Sequence, residues 1–434
     1  MARPGTVLLL LLRVLGAIKD AGAVALHPEA LGDHTHQSSA LAAESFASFI
    51  QKYHRTYREG SQEYVMRHTL FRQREAAVHT QNSKQNKRWM ATLNSLADWT
   101  LEELHALRGY RHGAHPSASS APGTLGLFSA GVQHVNASEF PKDFSWKQHQ
   151  LKAMQEITDQ GGCGSCWAIS SATVLRAHAE LFQTDRTFST QQIVACTPNP
   201  RQCGGSGGCG GATAELAMDY VVRSGLVTED NLKYTAKDSK CPEQMKPAAP
   251  NLRTALWQTV TLPEVTATQG GGSSFGMLGW KKLPENKAEP LMHALYTQGP
   301  VTVSVAANDA WTMYSSGIMD ACPKEAVINH AVVLVGFGED AAAGAKYWQI
   351  QNSWGPDWGE DGFGRLLRLD THEEEQYCGW DRSPEEGTAC KGGPSKVWVC
   401  GSCGILYDSV VPKFSLSPDG WWHRVSGRGL DTVV

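Results

Sequence analysis

The sequence predicts an α+β protein in two parts, a small helical one followed by a larger one combining helix and sheet. Three observations carry this. All eleven cysteines lie at or after Cys163, so the first 162 residues can form no disulfide while the rest can be heavily cross-linked. Apolar residues recur at helical spacing in the cysteine-free part. Late in the chain, Ala331 to Gly338 and Tyr347 to Ile350 read as buried strands. Charge and histidine divide at the same place. Residues 26–135 hold eleven Lys/Arg against nine Asp/Glu, and ten of the sixteen histidines lie between His27 and His134. With 434 residues, 41% hydrophobic, and a net charge of −4, the chain has the make-up of a folded protein and excludes disorder as its main state. No block of like charge points to a nucleic-acid partner or a membrane surface.

Taken in order, Arg3 and the apolar run Val7–Leu12 precede small-residue patterns at Ala21-Gly22-Ala23 and Ala23-Val24-Ala25. They read as a secretory signal over 1–25, although Arg13 interrupts the apolar centre. No later segment reaches about 18 uninterrupted apolar residues, so no transmembrane segment is expected. Phe46, Phe49, Ile50 and Tyr53 form one helical pattern. Glu63 to Asn82 forms a longer one, with Val65, Leu70, Phe71 and Val78 available for burial. These place a helical segment over 26–112. After Tyr110 the chain is rich in Gly, Ala, Ser and Pro, which reads as a linker and maturation region over 113–138. The remainder, 139–434, is the second part.

The chemistry concentrates in Gln160-Gly161-Gly162-Cys163-Gly164-Ser165-Cys166-Trp167-Ala168, which carries the Cys-Gly-Ser/Ala-Cys-Trp/Tyr nucleophile pattern. A free thiol with a pKa of about 8.5 is mostly protonated at neutral pH, so a nucleophilic cysteine needs a helix amino terminus and a cationic partner. The apolar run after Cys166 predicts a buried helix whose first turn holds that thiol. A disulfide, a redox pair, or half of a zinc site with Cys400 and Cys403 are the competing readings of Cys163 and Cys166. The odd cysteine count favours one free thiol. His330, at the start of the first strand pattern, and Asn352, just after the second, are the expected base and its orienter. His293 is better spaced from Cys166, but its helical surroundings mark it as structural.

Here the sequence resembles the papain-like cysteine proteases of the cathepsin L type, and the cysteine-free part resembles their inhibitory prosegment. Glu63, Arg67, Phe71, Val78 and Asn82 follow the family's interrupted helix motif, with Arg74 standing where Asn is usual. Thr92, Asn94, Leu96 and Asp98 form an altered second motif. The resemblance implies a two-subdomain fold, one half helical and one β-barrel-like, behind a small helical prodomain. It assigns Cys166, His330, Asn352 and Gln160 to catalysis, with Gln160 in the oxyanion hole. It places Gly210 and Gly211 on the substrate wall and counts Trp354, the shield of the His–Asn pair, with the substrate-side residues. Asp408 falls at the floor of the pocket for the second residue before the scissile bond, implying a preference for Arg or Lys there. It pairs Cys163 with Cys209, Cys196 with Cys241 and Cys322 with Cys403, leaving Cys203, Cys378, Cys390 and Cys400 open.

The function so implied is a secreted or lysosomal proenzyme that matures to a cysteine endopeptidase without cofactor or metal. Its partners are polypeptide substrates, its own prosegment, and protein inhibitors of cysteine proteases. An exopeptidase is the alternative within the fold, although no segment reads as a blocking insertion. An inactive, disulfide-rich binding protein on the same scaffold is the alternative outside enzymology.

Overall fold

The computed structural model describes residues 45–109, 140–246 and 271–417. The expected leader over 1–25 and maturation region over 113–138 lie outside them. Two units are distinguished, one ending at Phe49 and one running from Ile50. Of the first, the described part is the opening of α1 (Phe46–Lys52), where Phe46 and Phe49 stack at 6.1 Å. All that follows concerns the second.

α2 (Gln62–Asn82) starts where Ser61 accepts a hydrogen bond from the Tyr64 N–H, an ordinary N-cap. Its motif residues point to the short elements that follow. Arg67 makes a forked ion pair to Glu103 (2.7 Å for Nη2 to Oε1) and donates to the Asp98 carbonyl at 3.0 Å. Glu103 also closes the capping box of α3 (Leu101–Leu107) by accepting from the Thr100 N–H. Asp98, wholly buried, takes both Arg55 and Tyr57. Asn82 bonds reciprocally to the Ala91 backbone, with both contacts at 2.9 Å, and so imitates a neighbouring strand for β1 (Trp89–Ala91). The altered motif therefore builds a polar kernel that a generic amphipathic hairpin does not need.

β1 pairs antiparallel with β5 (Tyr314–Met319), so this small helical part joins the main sheet at its edge. Gly317 makes the approach possible: its φ is +88°, and a Cβ there would stand 2.3 Å from the Arg88 carbonyl. The other strands are β2 (Phe144–Ser145), β3 (Met277–Lys282), β4 (Val301–Val305), β6 (His330–Asp340), β7 (Ala345–Gln351), β8 (Phe363–Arg368), β9 (Cys378–Asp381), β10 (Val397–Cys400) and β11 (Ser409–Phe414). The main sheet runs β1-β5-β8-β7-β6-β4-β11-β3, with β2 added to β6, and β9 and β10 form a separate hairpin. β6 is buried from His330 to Gly338, which is why it reads as a continuous apolar run. α4 (Cys166–Phe182) packs on β4, β6 and β11, with α5 (Thr190–Cys196) and α6 (Ala214–Ser224) behind it. His293 sits on α7 (Ala288–Gln298).

Five disulfides form, and Cys166 is the free cysteine. The three pairings that the resemblance implies are present, and the others are Cys203–Cys390 and Cys378–Cys400. Cys203 and Cys390 are 187 residues apart in sequence, so on chain-entropy arithmetic their bond is worth about 5 kcal/mol against the unfolded chain.

One buried histidine makes stability depend on pH. His178, on α4, bonds the Pro300 carbonyl at 2.9 Å, and burial drives its pKa down to about 4. The unfolded chain therefore takes up a proton near pH 6.5 that the folded chain refuses. Stability is complete above 6.5 and is lost as pH falls toward 4, by up to about 3 kcal/mol from this group. His178→Gln keeps a donor for Pro300 and should flatten the fall of Tm between pH 6.5 and 4.5. An unchanged slope would assign the acid loss to other groups.

Candidate active site

Cys166 opens α4, and Ser165 at the N-cap bonds Tyr234 and not the helix amides, so the amide end of the helix is left to the thiol. Its positive end favours the thiolate. The loop before it is pinned to the glycine wall by Cys163–Cys209 and by the Gly164 N–H donating to the Cys209 carbonyl at 3.1 Å. Gly164 is obligatory, since a Cβ would stand 2.6 Å from that same carbonyl. Gly210 and Gly211 follow directly, and Gly211 faces the cleft beside Cys166.

His330 begins β6 opposite Val305 of β4, and Asn352 follows β7, the next strand across. Adjacent strand ends thus bring together residues 22 apart in sequence. The Asn352 Oδ1 accepts from the Ser353 N–H at 2.8 Å, which fixes the orientation of its amide. The same oxygen lies 2.8 Å from His330 Nε2, so Nε2 must be the donor. That tautomer leaves Nδ1 with a lone pair, and among the described residues Nδ1 has no hydrogen-bond partner. Cys166 and His330 line one cavity. Trp354 lies over His330, ring centroids 4.9 Å apart, and is buried against the His–Asn pair rather than set on an open substrate wall. Trp311, edge-on to His330 at 6.2 Å, and Trp358 complete the aromatic cover. Sequence reasoning missed both, because no motif marks them.

Gln160 is fully buried and held from two sides. Its Oε1 accepts from Ser353 Oγ at 2.7 Å, and its backbone N–H donates to the Ser353 carbonyl at 2.9 Å. Its Nε2 donates to the Leu107 carbonyl, 2.7 Å away. Leu107 ends α3, so the helical amino-terminal part places a peptide carbonyl on the expected oxyanion donor. Gly109 packs beside Gly164, Gly211 and Cys166; a Cβ on it would stand 3.9 Å from the thiol sulfur. Arg108 pairs with Asp309 and lines the cavity with His330. The site is therefore plugged, and its electrostatics follow. Burial pushes the Cys166 thiol up to about 11 and drives His330 down to about 4. The Asn352 bond favours a charged ring, while the nearby Arg108 guanidinium opposes it. Both shifts favour the neutral thiol and imidazole in this plugged form.

Asp408 is not brought to the cleft. It is 2% exposed, pairs with Lys282 Nζ at 2.9 Å, and accepts from Ser304 Oγ at 2.7 Å. Ser304 lines the cavity in front of it. Burial opposes its ionisation, but Lys282 holds it below the usual carboxylate value. The cleft meets a hydroxyl with an internally neutralised charge behind it, so the expected pairing of Asp408 with a basic substrate side chain is corrected. Among the described residues no cluster of side chains suits a metal ion, and no helix is long and apolar enough to cross a membrane.

A cysteine protease held shut by its own amino-terminal segment is the class this arrangement describes. Residues 140–385 match the papain family cysteine protease model, and residues 46–104 match the cathepsin propeptide inhibitor domain. The chain belongs to the papain family of cysteine proteases, as a proenzyme. It is similar to the KDEL-tailed cysteine endopeptidase CEP2 of Arabidopsis thaliana, 29% identical over 72% of this chain and 77% of that one. It is also similar to cathepsin L of Sarcophaga peregrina, 29% identical over 70% and 80%. Digestive procathepsin L 3 from the Tenebrio molitor larval midgut shares the fold, with a TM-score of 0.56 at 23% identity over 85% and 98%.

Proposed function

We propose that the matured chain is a cysteine endopeptidase acting through a Cys166 thioester. The supporting observation is that a helix-terminal thiol and a histidine oriented by Asn352 line one cavity, while Gln160 holds the carbonyl of Leu107, two residues before Gly109 of the same lining. Once the plug leaves, His330 takes the thiol proton and the thiolate adds to the substrate carbonyl carbon. Gln160 Nε2 and the Cys166 N–H receive the negative oxygen. Collapse expels the amine, which takes the proton from His330. Water then attacks the thioester, giving its proton to His330, and the acid product leaves as the thiolate is restored.

Gly210 and Gly211 offer backbone to an extended substrate. The domain limits of 26–112 for the prosegment, 113–138 for maturation and 139–434 for the enzyme are part of this reading. So are a signal over 1–25, a route through the secretory pathway to an acidic or extracellular compartment, and susceptibility to protein inhibitors of cysteine proteases. Five disulfides suit such a compartment. The exopeptidase reading has one observation in its favour: the tip of the β9–β10 hairpin forms a strap, tied to the helical wall by Cys203–Cys390 and to the β-rich wall by the Ile328 N–H donating to Asp381, with Gly387 lining the cavity of Cys166.

Cys166→Ala is the test. The matured variant should show no hydrolysis of peptide amides, while the parent loses its activity on uptake of one equivalent of iodoacetamide at Cys166. Activity that survives the substitution would overturn the assignment.

A further inference from the structure

One basic side chain already sits beside the catalytic pair. Arg108 lies between Leu107, whose carbonyl is on Gln160, and Gly109, which packs against Cys166 and Gly211. It lines the cavity with His330, is 7% exposed, and pairs through Nη2 with the Asp309 carboxylate at 3.2 Å. Burial works against the Arg108 charge, and Asp309 sustains it. Asp309 belongs to the turn between β4 and β5, two residues before Trp311. Asn308 fixes that turn: its Oδ1 accepts from the Ala310 N–H at 3.0 Å, and its Nδ2 donates to the Ala321 carbonyl at 2.8 Å. The Asp309 carbonyl accepts from Thr312 Oγ1 at 2.7 Å, and Trp311 stands edge-on to His330. The backbone of Asp309 is thus held at a set place relative to the histidine, while its carboxylate is 74% exposed. A second cation faces it, since Arg74 donates to Thr312 Oγ1 at 3.1 Å and feels the Asp309 charge. Arg74 and Arg108 both belong to the segment that the proposed maturation removes.

We infer that Asp309 is a specificity residue of the mature enzyme, taking the side chain of an arginine or lysine on the leaving side of the scissile bond, in the place Arg108 holds in the proenzyme. The inference rests on the peptidase reading above and names a substrate class that it left open. Gly109 marks the thiol and touches the glycine wall. Going back along the chain, Arg108 turns to Asp309 and Leu107 to Gln160, away from that wall. With the wall taking the residues ahead of the scissile bond, the places of Arg108 and Leu107 fall to the residues behind it. The same side holds His330, which hands its proton to the departing amine. Arg108 gives the reach directly, because its backbone lies in the cleft and its side chain spans the distance to the carboxylate. A glutamate in that place meets the Asp309 charge instead and is disfavoured. The basic preference expected of Asp408 thus passes to a different acid, one without a buried lysine against it. Being exposed, the Asp309 carboxylate acts through a screened pairing, so its effect is modest and falls with salt.

Internally quenched peptides blocked at both ends test this on matured enzyme. They are identical except for Arg, Gln or Glu at the first or the second residue after the scissile bond, and the cut is located by mass spectrometry. At one of the two positions Arg should exceed Glu by about three- to tenfold in kcat/KM at about 0.01 M salt, with Gln between them, and the ratio should approach one at about 1 M. In Asp309→Asn that ratio should fall below about twofold at low salt, and in Asp309→Lys it should invert, with Glu the better substrate. Equal rates for Arg and Glu at both positions, or a ratio that Asp309→Asn leaves unchanged, overturns the inference and leaves the peptidase assignment standing. Failure to cut any of the peptides, with Cys166 open to iodoacetamide, overturns both.

Discussion

Gln160→Ala is expected to lower kcat of the matured enzyme by 10²–10³, or about 2.7–4 kcal/mol of transition-state stabilisation, with KM little changed. The side chain is wholly buried and held by Ser353, so its amide reaches the carbonyl position without reorganisation. The same substitution has a second effect that a residue serving the reaction alone would not show. In the proenzyme Gln160 Nε2 holds the Leu107 carbonyl, and a hydrogen bond of this kind is worth about 0.5–1.5 kcal/mol net. The plug should therefore loosen roughly two- to tenfold, and Cys166 in the intact proenzyme should label faster with iodoacetamide by that factor. A weaker enzyme with a looser plug is the signature. A kcat within threefold of the parent would remove Gln160 from the oxyanion hole.

Arg67→Ala should release the plug from a distance. Arg67 ties α2 to the cap of α3 through Glu103 and to the Asp98 carbonyl, and its removal leaves Glu103 with only its capping role. Fully buried pairs cost about 3–5 kcal/mol when one partner goes, but Glu103 is 39% exposed, so roughly 2–3 kcal/mol applies. Since 1.4 kcal/mol is tenfold, opening of the prosegment should rise roughly 30- to 140-fold, read as faster labelling of Cys166 in the intact proenzyme. Arg67→Lys should recover only part of the difference, because one ammonium group cannot make the forked pair. Equal labelling rates in all three forms would show that the plug does not depend on this joint.

The catalytic string, the helical prosegment and the strand ends bearing His330 and Asn352 were legible because each is local: a motif, a period, or a strand followed by its partner. The prosegment motif residues were legible as a pattern, but the reason for them was not. Arg67 and Asn82 are explained by Glu103 and Ala91, which no periodicity joins to them. Asp408 misled for a related cause. Its neutralising partner Lys282 lies on β3, 126 residues earlier in sequence, and a position carried over from a resemblance brings no charge balance with it. The strap was illegible for two reasons. Its stretch of Pro, Gly, Ser and Lys reads as a surface loop. Its one clue, Cys390, was among four cysteines whose connectivity spacing cannot decide. Crossing the cleft is a property of the Cys203–Cys390 pair and of neither cysteine alone.

The pairing of β1 with β5 bears on what becomes of the enzyme after activation. While the prosegment is in place, the Ile318 N–H donates to the Arg88 carbonyl, and the Met313 carbonyl accepts from the Thr92 N–H. On the proposed maturation, loss of that covering strand would leave β5 as an unguarded sheet edge, with a backbone donor and acceptor turned to solvent. An edge of this kind is a template for any extended chain, including another copy of the same enzyme. On the proposed maturation, the segment that inhibits the enzyme is thus also the one that guards its sheet edge, and both protections end together.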